Sequence, residues 1–102
     1  MDDIFSGPIL GLKEADLPFE GGKAYLSQSE DHQILFIQFD KDIPLPEHSH
    51  EAQWAVVLEG EARTYTKGDR YYVPAGAKHS GRIYAGYADI TFFNQSDRYK
   101  CK

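Results

Sequence analysis

Residues 68–79 read Gly68-Asp69-Arg70-Tyr71-Tyr72-Val73-Pro74-Ala75-Gly76-Ala77-Lys78-His79, with glycine, proline, glycine and histidine at offsets 0, 6, 8 and 11. Each has a mechanical use. Gly68 permits the turn into a strand, Pro74 and Gly76 make a sharp corner, and His79 opens the next strand. At ordinary glycine and proline frequencies, the four together occur by chance on the order of once in 10⁵ starting positions. Outward from this stretch, short strands alternate with turn residues. Upstream lie Lys23 to Ser27, then Gln33 to Phe39, which is apolar on both faces as a doubly buried strand would be. Gln53 to Leu58 follows and ends at Glu59-Gly60, with a short strand expected from Ala62 to Thr66. Arg70 to Val73, His79 to Tyr84 and Ala88 to Phe93 complete the set. About eight short strands at this spacing predict an all-β sandwich or small barrel. The one helical expectation is Leu12 to Asp16, cut off by Pro18.

With 102 residues the chain has room for a single domain, 1–102. It divides into N-terminal strands and turns (1–32), a barrel core (33–94) and a C-terminal tail (95–102). A net charge of -5 and the lack of a basic face argue against nucleic acid as a partner. Apolar stretches such as Ala55 to Leu58 fall far short of the roughly 20 residues a membrane span needs. The acidic start, Met1-Asp2-Asp3-Ile4-Phe5, does not resemble a leader, so a cytoplasmic location is expected. Cys101 is the sole cysteine, which excludes an intrachain disulfide. A small domain without one usually draws stability from a metal or a partner subunit.

Four histidines occur, at 32, 48, 50 and 79. His32 reads as an ordinary surface or core histidine. His48 and His50 differ, because residues i and i+2 of a strand share a face and two imidazoles there can share one ion.

Together these features resemble the cupin superfamily. Its second motif is glycine, five residues, PxG, two residues, histidine, three residues, asparagine, and it is matched from Gly68 to His79, with Ile83 where the asparagine stands. Its first motif is present as His48-Ser49-His50 and Gln53-Trp54-Ala55-Val56-Val57-Leu58-Glu59-Gly60, with Asp42 in place of the opening glycine. The resemblance covers roughly Gln33 to Asn94. It implies a small double-stranded β-helix, or jelly-roll, barrel. It further implies a divalent transition metal (Mn, Fe, Ni, Co or Zn) held by His48, His50 and His79, with Gln53 in the position usually taken by glutamate.

Three departures matter. Gln53 brings an oxygen but no charge, so the site keeps the full charge of its ion and favours anionic ligands. In this the chain is similar to cupins that open unsaturated uronates in pectin and alginate breakdown, which carry glutamine before a strand end like Val57 to Glu61. Only Glu51 and Ala52 separate His50 from Gln53, giving Gln53 the wrong parity for a continuous strand, so a corner must intervene there. Gly60 and Gly68 enclose seven residues where the family usually has fifteen or more, so one hairpin is nearly deleted.

The functional expectation is a metal-dependent enzyme acting on a small organic anion such as a sugar acid, by isomerisation or ring-opening. Dioxygenation or decarboxylation is the competing chemistry, and a non-catalytic binding or sensing barrel is the competing class. The discriminator is a proton-transfer residue lining the pocket, for which Glu51 and Tyr72 lead and Glu47 and Tyr84 follow. Arg63, Arg70 and Arg82 are candidates for gripping a carboxylate, with solvated charge the simpler reading. Trp54, of opposite parity to Gln53, faces away from the metal, between sheets or at the interface of an expected homodimer.

Overall fold

The computed structural model describes residues 4–48, 51–62 and 65–102, and of residues 46–48 the backbone alone. After a short 3₁₀ turn at Gly7–Gly11, nine strands follow in chain order. They are β1 (Lys13–Asp16), β2 (Gly22–Gln28), β3 (Gln33–Phe39), β4 (Ile43–His48), β5 (Gln53–Glu59), β6 (Arg70–Val73), β7 (His79–Ile83), β8 (Ala88–Phe93) and β9 (Lys100–Cys101). Seven form one antiparallel sheet in the order β6-β5-β8-β3-β2-β1-β9, and β4 pairs with β7 in a second sheet of two strands. No helix among the described residues is long and apolar enough to cross a membrane.

Leu12 to Asp16 is a correction to the helical expectation. Four of these five residues form β1, with Lys13 opposite Leu26 and Ala15 opposite Cys101. So short a run before Pro18 closes barely one helical turn, whereas two neighbouring strands satisfy its backbone at once.

Alternation decides what the large sheet encloses. Odd-numbered residues of β3, β5 and β8 point inward, and Leu35, Ile37, Phe39, Val57 and Phe93 join Ile43 and Ile83 of the small sheet in one core. The apolar outer face of β3 has a separate cause. Phe5 folds back over it, meeting Tyr25 and Phe36 edge-on at 6.2 and 5.9 Å, while the Ile4 amide donates to Gln38 Oε1 at 2.9 Å. The doubly buried pattern of Gln33 to Phe39 thus reflects the barrel core on one side and the chain's own N-terminal segment on the other.

Gly60 closes β5 at φ +71°, and a Cβ there would stand 2.8 Å from Gly86 O and from the backbone of Tyr87. Gly68 has φ +92° but open space around it. Gly68→Ala is therefore expected to cost the left-handed penalty alone, about 1–2 kcal/mol. That is about 4–8 °C of melting temperature per kcal/mol in a domain this small. Gly60→Ala adds a backbone clash and should lower the melting temperature clearly further. Equal shifts for the two variants would show that the Gly60–Gly86 approach is not rigid.

Candidate functional site

Between the inner face of the large sheet and the β4-β7 pair lies a cavity of about 470 Å³. Leu35, Ile37, Phe39, Leu45 and Ile83 supply apolar wall, and Gln53, Tyr71, His79, Asp89, Thr91 and Arg98 bring polar groups to it. Strand register gives it a vertical order. Gln53, Phe93 and Gln33 form one row across β5, β8 and β3. Ala55, Thr91 and Tyr71 form the next inward row, and Val57 and Asp89 the one beyond. Asp89 therefore stands four residues, about 13 Å of strand, from Phe93.

At the first row are the residues expected to hold a metal. His79 lines the cavity, and His48 is its backbone partner across β4-β7. The His79 Nδ1 lies 3.0 Å from Ala77 O. A carbonyl can only accept, so Nδ1 donates in this bond. A second ring nitrogen anchored on a carbonyl is the usual arrangement of a metal-ligating imidazole. Gln53 reaches the cavity from the opposite sheet, and the required corner exists, since β4 ends in the small sheet and β5 begins in the large one. His50 and the side chain of His48 lie outside the described residues. Among the described residues no three of His, Cys, Asp and Glu come together.

Deeper in the cavity is a group that the sequence reading missed. Asp89 is buried, and accepts hydrogen bonds from Tyr87 Oη at 2.5 Å and Thr91 Oγ1 at 2.8 Å, with Tyr71 as a third hydroxyl partner. Burial raises its carboxyl to about 6, against the opposing pull of these three hydroxyls. Burial, with the Asp89 charge second, also pushes the Tyr71 and Tyr87 phenols well above their ordinary value, so both remain donors. A signal was present: Asp89 is an acid inside an apolar strand, with the same inward parity as Thr91 and Phe93.

Arg98 is the second such group. Its guanidinium stands over the rings of Tyr99 (4.7 Å) and Phe93 (5.7 Å). Its Nε is buried without a hydrogen-bond partner among the described residues. The other arginines are placed differently. Arg82 lines the cavity with its charge 6.0 Å from the Tyr84 ring, Arg70 is exposed on the outer face opposite Val56, and Arg63 lies outside the described residues.

The leading proton-transfer candidates fall elsewhere. Tyr72 pairs with Trp54 on the outer face and is 62% exposed; its neighbour Tyr71 has the inward parity. Trp54, 45% exposed, faces outward as its parity requires. Glu51 is exposed at the corner, where its backbone amide donates to Gln95 Oε1 at 3.1 Å. Tyr84 is half-buried under Arg82, outside the cavity lining, and the side chain of Glu47 lies outside the described residues.

No protein-family model matches the chain, and no curated protein matches its sequence. Its fold has clear likenesses. An RmlC-like cupin from Shewanella frigidimarina superposes with a TM-score of 0.73 at 23% identity, covering 95% of each chain. KdgF from Halomonas sp. gives 0.63 at 18% identity, over 81% of this chain and 87% of that one. An oxalate decarboxylase of Bacillus subtilis gives 0.67 at 22% identity, over 82% of this chain and 28% of that longer one. The chain has the cupin fold, a β-sandwich of the jelly-roll type.

The raised Asp89 carboxyl has a thermodynamic consequence. Between its ordinary 3.8 and about 6, the folded chain holds a proton that the unfolded chain releases. The stability associated with protonated Asp89 is thus complete below pH 3.8 and is lost as pH rises through 6. Urea unfolding of wild type and Asp89→Asn should show wild type losing on the order of 2–3 kcal/mol relative to the variant between pH 4 and 7. Parallel curves would mean that Asp89 keeps its ordinary acidity.

Proposed function

We propose that this chain is a metal-dependent cupin that binds a small organic anion, such as a sugar acid, and catalyses its isomerisation or ring-opening. His48, His50, His79 and Gln53 would hold one divalent transition metal ion. The observation that carries the reading is the His79 ring, anchored through Nδ1 on Ala77 O in a cavity wall that faces Gln53 across the barrel. An oriented imidazole and an amide oxygen form a donor set that suits such an ion. The Bacillus oxalate decarboxylase carries Mn(II) centres, one of the metals expected here. When bound, the ion supplies a Lewis acid that polarises an oxygen of the ligand.

The protein's own groups would do the rest. The apolar walls exclude water and strengthen every electrostatic contact in the cavity. Asp89 is the proton-transfer residue that an enzyme requires and a passive binding barrel does not. Its carboxyl, raised to about 6, lets it take or give a proton near neutral pH, directly or through the hydroxyls of Tyr71 and Tyr87. This favours catalysis over simple binding, and the uncharged Gln53 favours sugar-acid chemistry within it.

Freshly purified protein is expected to contain about one metal ion per chain by mass spectrometry. His50→Ala and His79→Ala should lose the ion and melt several degrees lower, since an ion bound only by the folded state stabilises it by mass action. Equal metal content and melting in all three proteins would overturn the reading. So would failure of the wild type to take up manganese, iron, nickel, cobalt or zinc.

A further inference from the structure

We propose that Arg98 is the carboxylate-recognising residue of the cavity, and that it orients a polyhydroxylated acid with its carboxylate at the metal end and its hydroxyls toward Thr91 and Tyr71. The inference extends the metal reading by naming how the ligand is held. Its central observation stands apart from the metal.

An arginine that serves only structure ends in an acid, a run of carbonyls or water. Arg98 meets no acid or carbonyl among the described residues. It is half-buried, its Nε has no acceptor among the described residues, and the ion pairs of those residues join other groups. Asp89 is the one carboxylate among the described residues lining the cavity, and it is taken up by hydroxyls at the other end. Leaving a buried N–H of a charged group unmet costs free energy unless a ligand meets it. A guanidinium with an open edge is suited to the bidentate grip of a carboxylate.

The position of the charge is fixed. Tyr99 donates its amide to Gln33 Oε1 at 3.0 Å, and Gln33 Nε2 lies 2.8 and 3.0 Å from the carbonyls of Tyr99 and Ser96. These bonds hold residues 96–99 against β3, with the guanidinium stacked over Phe93. Phe93 is the cross-strand neighbour of Gln53. The cation therefore lies against the residue that neighbours Gln53 in its row, at the end of the cavity where that glutamine stands. A carboxylate there also borders the metal end. Two residues further along β8 stands Thr91, about 7 Å on, with Tyr71 of β6 in the same inward row beyond Ala55. Both line the cavity and carry hydroxyls. The separation matches the length of a six-carbon sugar acid, with one end charged and the rest hydroxylated.

The test compares galacturonate with galactose, which share a ring and differ in the carboxylate, by titration calorimetry on metal-loaded protein. Wild type should bind the uronate at least tenfold more tightly. Arg98→Gln, which keeps hydrogen-bonding capacity but loses the charge, should retain its metal and melt within a few degrees of wild type while losing that preference. Arg98→Lys should keep part of it. A variant Arg98→Gln that still prefers the uronate tenfold would overturn the proposal, as would wild type that binds both sugars alike or binds neither. His79→Ala separates the two readings. If it loses the metal while Arg98→Gln leaves the preference intact, the metal reading survives and the role of Arg98 falls. If wild type takes up no metal and the Arg98-dependent preference is found in the metal-free protein, the reverse is true.

Discussion

The cavity depends on the amide of one buried glutamine. Gln33 is fully enclosed at the start of β3, with its Nε2 within reach of Gln28 Oε1 at 2.6 Å and of two carbonyls in the C-terminal segment. A buried amide is costly unless its partners are present, and here they are. Gln28 adds a bond from its own Nε2 to Ser96 O at 2.9 Å. The C-terminal segment is thereby tied to the barrel wall rather than left as a tail. That tie places Tyr99 and Arg98 over Phe93, and so completes the charged part of the cavity. An apolar residue at 33 would pack equally well against the core but would leave residues 96–99 without their anchor.

The inner face is a compromise between a core and a site. Leu26, Leu35 and Val57 close it as in any small β-sandwich. Its two ends carry Asp89 and Arg98, charged groups that an apolar core would not tolerate. The two solve the problem differently. Asp89 is held by hydroxyls that favour its ionised form, yet burial still dominates and raises its carboxyl to about 6. Arg98 cannot lose its proton, so it rests its charge on two aromatic faces. Both arrangements leave a group ready to answer a ligand, at the expense of stability in a domain with little to spare.

Much of the fold was legible because β-strands declare their faces in pairs. The motif from Gly68 to His79 and the alternation of Gln53 to Leu58 were enough to expect a cupin barrel and an outward Trp54. The same rule was available for Tyr71 and Tyr72, and for Asp89, but it orders residues relative to one another. It does not say which parity is inward until a register is known. In β6 that register comes from Ala55 opposite Tyr71, a pairing between strands joined by a shortened connection. Arg98 was harder to see. It lies after the last long strand, in a polar run, and only the distant Gln33 amide brings it back to the barrel. Leu12 to Asp16 failed for the related reason that one of its two partners, β9, is remote in sequence.

The short connection between Gly60 and Gly68 shows how the barrel closes with so little chain. Where the resemblance calls for a full hairpin, Ala62 makes a single bridge to Ile83, and Glu61 makes another to Thr66. The turn back is then locked from within: Gly68 donates to Val57 O, Val57 to Asp69 O, and Asp69 Oδ2 accepts from the Thr66 amide. Tyr65 stacks on Tyr71 at 4.5 Å and takes the place of a strand as cavity wall. An aromatic side chain covers in one residue what a strand covers in several, provided a neighbour fixes its plane. The phenol so fixed, Tyr71, is also one of the three hydroxyls that bond to Asp89. The shortened connection and the buried carboxylate are therefore linked through a single ring, at the end of the cavity away from the row that holds Gln53 and Phe93.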